Sequence, residues 1–135
     1  MAILSNLGKY KNTGLLMMRV GLGILFLYHG YPKLLGGPAK WTEIGHATKY
    51  VGIHFLPTFW GLMAACTETF GGFLLVIGLA FRPVCLLLTI NLVVAAFMHF
   101  GTGGGLTEAA HAIEDAVVFA GLIFVGPGRY SVDGK

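Results

Sequence analysis

CTETFGGFLLVIGLAFRPV, residues Cys66 to Val84, is an apolar stretch with one carboxylate, Glu68, near its start and the group Phe81, Arg82, Pro83 at its end. Taken from Pro57, which suits the first turn of a helix, it is long enough to cross a hydrocarbon layer, which takes roughly 20 residues. The group Phe81 to Pro83 reads as a tight corner, which turns the next apolar run, Val84 to about Phe100, back antiparallel to the first. Two more runs flank this hairpin. One extends from Gly14 to Leu35, where Gly36, Gly37 and Pro38 stop it. The other starts at Thr107 and Glu108, after the glycine-rich turn Gly101 to Gly105, and ends at Gly126, Pro127 and Gly128. The expectation is an all-α, integral membrane four-helix bundle forming a single domain over residues 1–135, with spans at about 14–35, 57–80, 84–100 and 108–126.

Composition supports a membrane setting. Of the 135 residues, 56% are hydrophobic and only 11% charged, and the mean hydropathy is +0.76, outside the range of soluble globular chains. The net charge of +3 comes from nine Lys and Arg that form no basic cluster, so nucleic acid is not expected as a partner and the lipid bilayer is. The first thirteen residues are polar and weakly basic, and no small-residue cleavage signal follows the first apolar run, so it reads as a retained span rather than a signal peptide. Cys66 and Cys85 fall at different depths in different spans, too far apart for a disulfide. The glycines after span three are not a nucleotide loop, because no strand precedes them.

Between the first two spans, Trp41, Ile44, Thr48 and Val51 recur at helical spacing while Lys40, Glu43 and Lys49 point elsewhere, which predicts a short interfacial helix. Lys9, Lys11, Arg82, Arg129 and Lys135 fall on one side of the membrane, against Lys33, Lys40 and Lys49 on the other. Basic residues are retained in the cytoplasm, so both termini are expected there.

Each span carries a polar stripe. His29 and Lys33 lie one turn apart on span one with Phe26; Asn91, Ala95 and His99 are each four apart on span three; His111, Glu114 and Asp115 share the start of span four. Glu68 sits about eleven residues into span two, flanked at helical spacing by Gly61, Ala64 and Gly72, small neighbours typical of a packed helix face. A carboxylate at that depth must be protonated or paired, and Arg19, Lys33 and His29 are candidate partners. Polar stripes turned to lipid are costly, so the simplest arrangement faces them to a common interior near the outer surface.

Three readings of this polar core remain open. Hydrogen bonds and ion pairs can hold four helices together with no further role. His111 and Glu114, an H-x-x-E pair completed by His29 or His99, can ligate a metal, although the paired Glu-x-x-His motifs of a di-iron bundle are absent and no metal motif is evident. The third is a site for a small ligand such as a quinone, whose carbonyls need donors and whose reduction needs protons relayed by carboxylates or imidazoles.

Three blocks in order resemble the DoxX family of small four-span membrane proteins. They are MRVGLGILFLYHGYPKLLGG (Met18 to Gly37), with Arg19, His29, Gly30 and Lys33; CTETFGGFLLVIGLAFRPV, with Glu68, Gly71, Gly72, Gly78 and Arg82; and IEDAVVFAGLIFVGPGRYSVD (Ile113 to Asp133), with an acidic residue, an apolar span and a GPGRxSxD tail. The histidine of span three, His99, lies between the last two. The resemblance implies a prokaryotic cytoplasmic-membrane bundle, in a family named after a subunit of a quinone-linked thiosulfate-oxidising system and associated with redox-protective complexes. It also implies ligand or proton roles for Arg19, His29, Lys33, Glu68, His99 and Glu114; His111 and Asp115 are added from their helix face. The chain lacks a soluble redox domain and cysteines placed for sulfur chemistry at the outer face, so it is not expected to oxidise thiosulfate alone.

The expected function is that of a membrane subunit of a redox complex. It binds a quinone or similar ligand near the outer face and relays protons through Glu68, His29 and Glu114, with Arg19, Lys33, Asn91, His99, His111 and Asp115 around the ligand and Trp41 over it. Electrons come from a partner subunit. The alternative is a non-catalytic anchor or small-solute carrier; Gly71 and Gly72 suit packing within a protomer or in a homo-oligomer.

Overall fold

In a computed structural model, residues 3–134 are described; Lys135, counted above among the basic residues, lies outside them. Among the described residues the chain is helical, with no strand. A 3-10 segment, Ser5–Tyr10, leads into α1 (Lys11–Leu35); α2 (Gly37–Gly45) and a second 3-10 segment, His46–Val51, follow; then come α3 (Pro57–Ile77), α4 (Phe81–Gly101) and α5 (Gly105–Val125). α1 with its leading segment, α3 and α4 are long and apolar enough to cross a membrane. α5 is as long as α3 and α4, but its first three turns carry Glu108, Glu114 and Asp115.

The four long helices form the expected bundle. α1 packs antiparallel on α3, and α4 on α5, while α3 and α4 touch much less. The core is a stripe from each helix: Phe26 of α1, Leu75 of α3, Phe81, Cys85, Leu88 and Leu92 of α4, Phe119 and Leu122 of α5. The opposite faces are equally apolar, with Met17, Ile24, Phe70, Phe73, Leu86, Leu87, Phe97, Val117 and Phe124 all exposed. Water would not tolerate so continuous an apolar surface; lipid does.

The corner between α3 and α4 falls earlier than Phe81 to Pro83. Gly78 (φ 72°) and Ala80 (φ 50°) adopt left-handed backbone, and Gly78 N–H bonds back to the Leu74 carbonyl at 2.8 Å, the glycine-terminated helix end. α4 therefore begins at Phe81 and takes Pro83 into its first turn, where a missing N–H leaves nothing unpaired. α5 likewise starts at Gly105, three residues before the expected boundary.

Glycine governs how closely α1 and α3 approach. A Cβ on Gly23 would lie 2.6 Å from a Val76 methyl, and one on Gly72 the same distance from the Gly23 carbonyl; Gly30 is equally close to Glu68 and Thr69. Gly71 faces Val84 and Leu88, so both glycines of the pair pack within the protomer. α2 docks on α3 in the same way, because a Cβ on Gly45 or Gly61 would overlap the Pro57 or Trp41 carbonyl. The expected interfacial helix is thus docked on α3, but it is α-helical only to Gly45, and the part from His46 to Val51 is 3-10.

The end of the bundle opposite Lys33 is closed by the GPGRYSVD tail. Arg19 is buried and donates to the Leu75 and Val76 carbonyls at 3.3 and 3.0 Å and to the Tyr130 carbonyl, satisfying last-turn acceptors of α3. Asp133 accepts from Ala80 and Phe81 N–H at 3.1 and 2.8 Å, capping α4 with a carboxylate from 52 residues along the chain. Arg82 Nε donates to the Ile123 carbonyl at 2.8 Å, and Arg129 N–H to Asn12 Oδ1 at 3.0 Å. Replacing Arg19 by Met is expected to lower stability by about 2 kcal/mol, since hydrogen bonds to a charged donor are lost and carbonyls orphaned. Asp133→Ala loses about 1 kcal/mol through the cap. Both are read from unfolding curves in detergent, and an unchanged midpoint for Arg19→Met would mean that the tail clamp does not stabilise the bundle.

Candidate functional site

At the other end, the close approach at Gly30 sets the site. One turn beyond it on α1, Lys33 reaches across to Glu68 on α3, its Nζ 3.2 and 3.1 Å from the two carboxylate oxygens. α4 adds Asn91, whose Nδ2 donates to Glu68 Oε1 at 3.3 Å. Glu68 is buried and now has three donated hydrogen bonds, which is what a carboxylate removed from water requires. Its cation is Lys33; Arg19 lies at the far end, bonded to carbonyls.

Lys33 and Glu68 of this triad line a cleft of about 300 Å³ between α1, α4 and α5. Its apolar walls include Leu22, Phe26, Leu92 and Ala112, and its polar residues are His29, His99, Glu108, His111 and Asp115, besides Lys33 and Glu68. Phe26 closes the inner end edge-on against Phe119, with ring centroids 5.2 Å apart. Two histidine–carboxylate pairs stand at the rim. His111 Nδ1 is 3.5 Å from Asp115 Oδ2, one turn along α5; His99 Nδ1 is 3.8 Å from Glu108 Oε2, across the glycine turn between α4 and α5.

The structure thus brings together His29, Lys33, Glu68, His99, His111 and Asp115 around one cleft, with Asn91 behind Glu68. His29 is exposed at the edge and set edge-on to Tyr28. Glu114 is exposed and does not line the cleft, because it is one residue, 100° of helix, from the Asp115 face. Trp41 does not roof it either: its Nε1 donates to the Lys33 and Leu34 carbonyls at 3.1 and 3.2 Å, closing the end of α1. Glu108 is the cleft residue that sequence reasoning passed over as a helix start; its signal was a histidine, His99, just before the same glycine turn. Among the described residues no group of three His, Cys, Asp or Glu is arranged to hold a metal ion, and Cys66 and Cys85 are free thiols.

Long apolar helices with a lipid-like exterior and a polar interior at one end define a small multi-pass membrane protein. The chain belongs to the DoxX family, whose pattern matches residues 14–101, from α1 through the end of α4. It is also similar to an uncharacterized protein of Haemophilus influenzae, 28% identical over 138 residues that cover 98% of this chain and 97% of that one. No solved structure gives a significant match.

Proposed function

We propose that the chain is the membrane subunit of a redox complex, binding a quinone or similar carbonyl-bearing small ligand against the Lys33–Glu68–Asn91 triad and passing protons through the cleft beside it. The observation that carries this is a partly buried ion pair lining an open cleft whose rim holds two histidine–carboxylate pairs. Polar groups at membrane depth with their own access path point to a site by default. On this reading the Lys33 end faces outward and both termini lie in the cytoplasm, following the distribution of basic residues.

The residues fit such a ligand. Lys33 has one ammonium proton beyond the two directed at Glu68, and Asn91 one amide proton, so the triad has donors left for carbonyl oxygens. A quinone bound there would supply the two-electron chemistry, its reduction needing two protons and two electrons from a partner subunit. Glu68 is the group placed to hold a proton next to the ligand, and Lys33 balances its charge when that proton has gone. His99 with Glu108, and His111 with Asp115, stand at the rim as the groups placed to pass protons between water and the cleft.

The other reading is a non-catalytic anchor or small-solute carrier. The specific observation in its favour is that Glu68, Lys33, Asn91, His99 and His111 are all partnered by one another or by neighbouring carboxylates, as helix glue would be.

Mass spectrometry of an organic extract separates the two. Protein purified gently from its native membrane is expected to retain close to one prenylated quinone or comparable molecule per protomer, and the Glu68→Gln, His29→Ala protein to lose it. An empty wild type, or equal retention by both, rejects the ligand site; recovery of less partner protein with activity intact would establish the anchor instead.

A further inference from the structure

A second cavity, about 430 Å³, lies on the other side of the triad, between α3 and α4 and under α2 with its 3-10 continuation. Lys33, Glu68, Leu92 and Ala95 line both cavities, so the ion pair is a shared wall. The two chambers differ in chemistry. The first has the histidines and the additional carboxylates at its rim. The second runs from Glu43, Thr48 and Trp60 down to Leu87, Ile90 and Val94, and Met63, Leu87 and Ile90 in its lining are 39%, 53% and 52% exposed on the apolar outer surface. It therefore opens sideways, onto the bilayer, between α3 and α4, which pack less closely than α1 on α3 or α4 on α5.

Its polar lining is rich in donors. Trp60 lines the cavity, and its indole Nε1 is buried with no acceptor. A buried N–H without a partner is uncommon and costly. Asn91 and Lys33 add their spare protons, whereas the Thr48 and Thr67 hydroxyls are already donated to backbone carbonyls. The positive charge of Lys33 is neutralised by Glu68, so the wall has no net charge to attract an anionic headgroup.

We infer that the α3–α4 cavity is a lateral entrance and binding chamber for an uncharged, membrane-dissolved amphiphile, its carbonyl-bearing head on Trp60, Asn91 and Lys33 and its hydrocarbon tail leaving along Leu87 and Ile90. This rests on the ligand reading above and adds to it a division of labour: the ligand arrives from lipid on one side of Glu68, and protons arrive from water on the other. Proximity across one carboxylate couples the two paths without a large motion.

The probe that tests it is a benzoquinone with a diazirine on its alkyl tail, photolysed with the purified full chain in nanodiscs and mapped by peptide mass spectrometry. Labelling is expected on Met63, Leu87, Ile90 or Val94 and is competed by excess decyl-benzoquinone. Ala64→Phe, which fills the cavity, abolishes it; Val117→Phe, which adds the same bulk to the lipid-facing side of α5, leaves it unchanged. Trp60→Phe keeps an aromatic side chain but removes the N–H, and is expected to weaken competition about three- to tenfold, the range for one hydrogen bond. Should Ala64→Phe not fold, the Trp60→Phe measurement decides.

Labels spread over all lipid-facing helices, or insensitive to competitor and to Trp60→Phe, overturn the inference. So does equal competition by lysophosphatidylcholine, which would make the cavity a general lipid groove. If the extracted wild type holds a ligand yet labelling avoids α3 and α4, the entrance is wrong and the site reading stands; if nothing is retained or competed anywhere, both fail.

Discussion

Replacing Lys33 by Met, or Glu68 by Leu, is expected to destabilise the bundle by about 2–3 kcal/mol each, while the double replacement costs clearly less than the sum. Either single change leaves one charge at membrane depth without its partner. The Lys33 side chain is 36% exposed and that of Glu68 12%, so the penalty falls below the about 3–5 kcal/mol of a fully buried pair. Glu68→Leu also strands the Asn91 amide, whereas Lys33→Met leaves Glu68 the hydrogen bond from Asn91. Unfolding curves of the four proteins in detergent give the coupling directly. Additive effects would mean that the pair contributes no interaction energy, and the triad would lose its place as the organising feature of the cleft.

Gly61→Val is expected to be at least as damaging, by about 3 kcal/mol, because the added atoms meet a backbone carbonyl and not a side chain that can move aside. A Cβ there overlaps the Trp41 carbonyl, and Gly45 has the same relation to Pro57. The docking of α2 is lost first. Release of α2 uncovers the roof of the α3–α4 cavity, so protease sensitivity in the stretch from Gly37 to Gly52 should rise before the remaining bundle melts. Gly14→Val is the control, since that glycine has open space around it. Equal stability of the Gly14 and Gly61 variants would contradict the docking described here.

Much of the helical architecture was legible in the residues because lipid makes the rules strict. Every backbone polar group at membrane depth must be satisfied internally, so apolar runs of this length become helices, and Gly36, Gly78 and Gly126 stand at or next to their ends. Errors of three residues at Phe81 and Gly105 arose where a left-handed residue, rather than a proline or a threonine, set the boundary. The polar stripes on α1, α4 and α5 were also visible, since helical spacing alone puts Lys33 one turn from His29 and His99 two turns from Asn91.

What the periodicity of single helices determined was which residues share a face; it left open the rotation and stagger of one helix against another. Those follow from tertiary packing. The glycines at positions 23, 30 and 72 let α1 and α3 approach backbone to backbone, and that contact selects Lys33 over Arg19 as the partner of Glu68. The same stagger carries Arg19 to the C-terminal carbonyls of α3; the packing of α5 on α4 turns Glu114 away while Asp115 faces in, and the docking of α2 on α3 puts Trp41 at the end of α1. The cap that Asp133 places on α4 joins groups more than fifty residues apart, and no local pattern contains that information. Composition and spacing decided that the chain is a helical membrane bundle with polar groups at one end; close packing decided which of those groups touch.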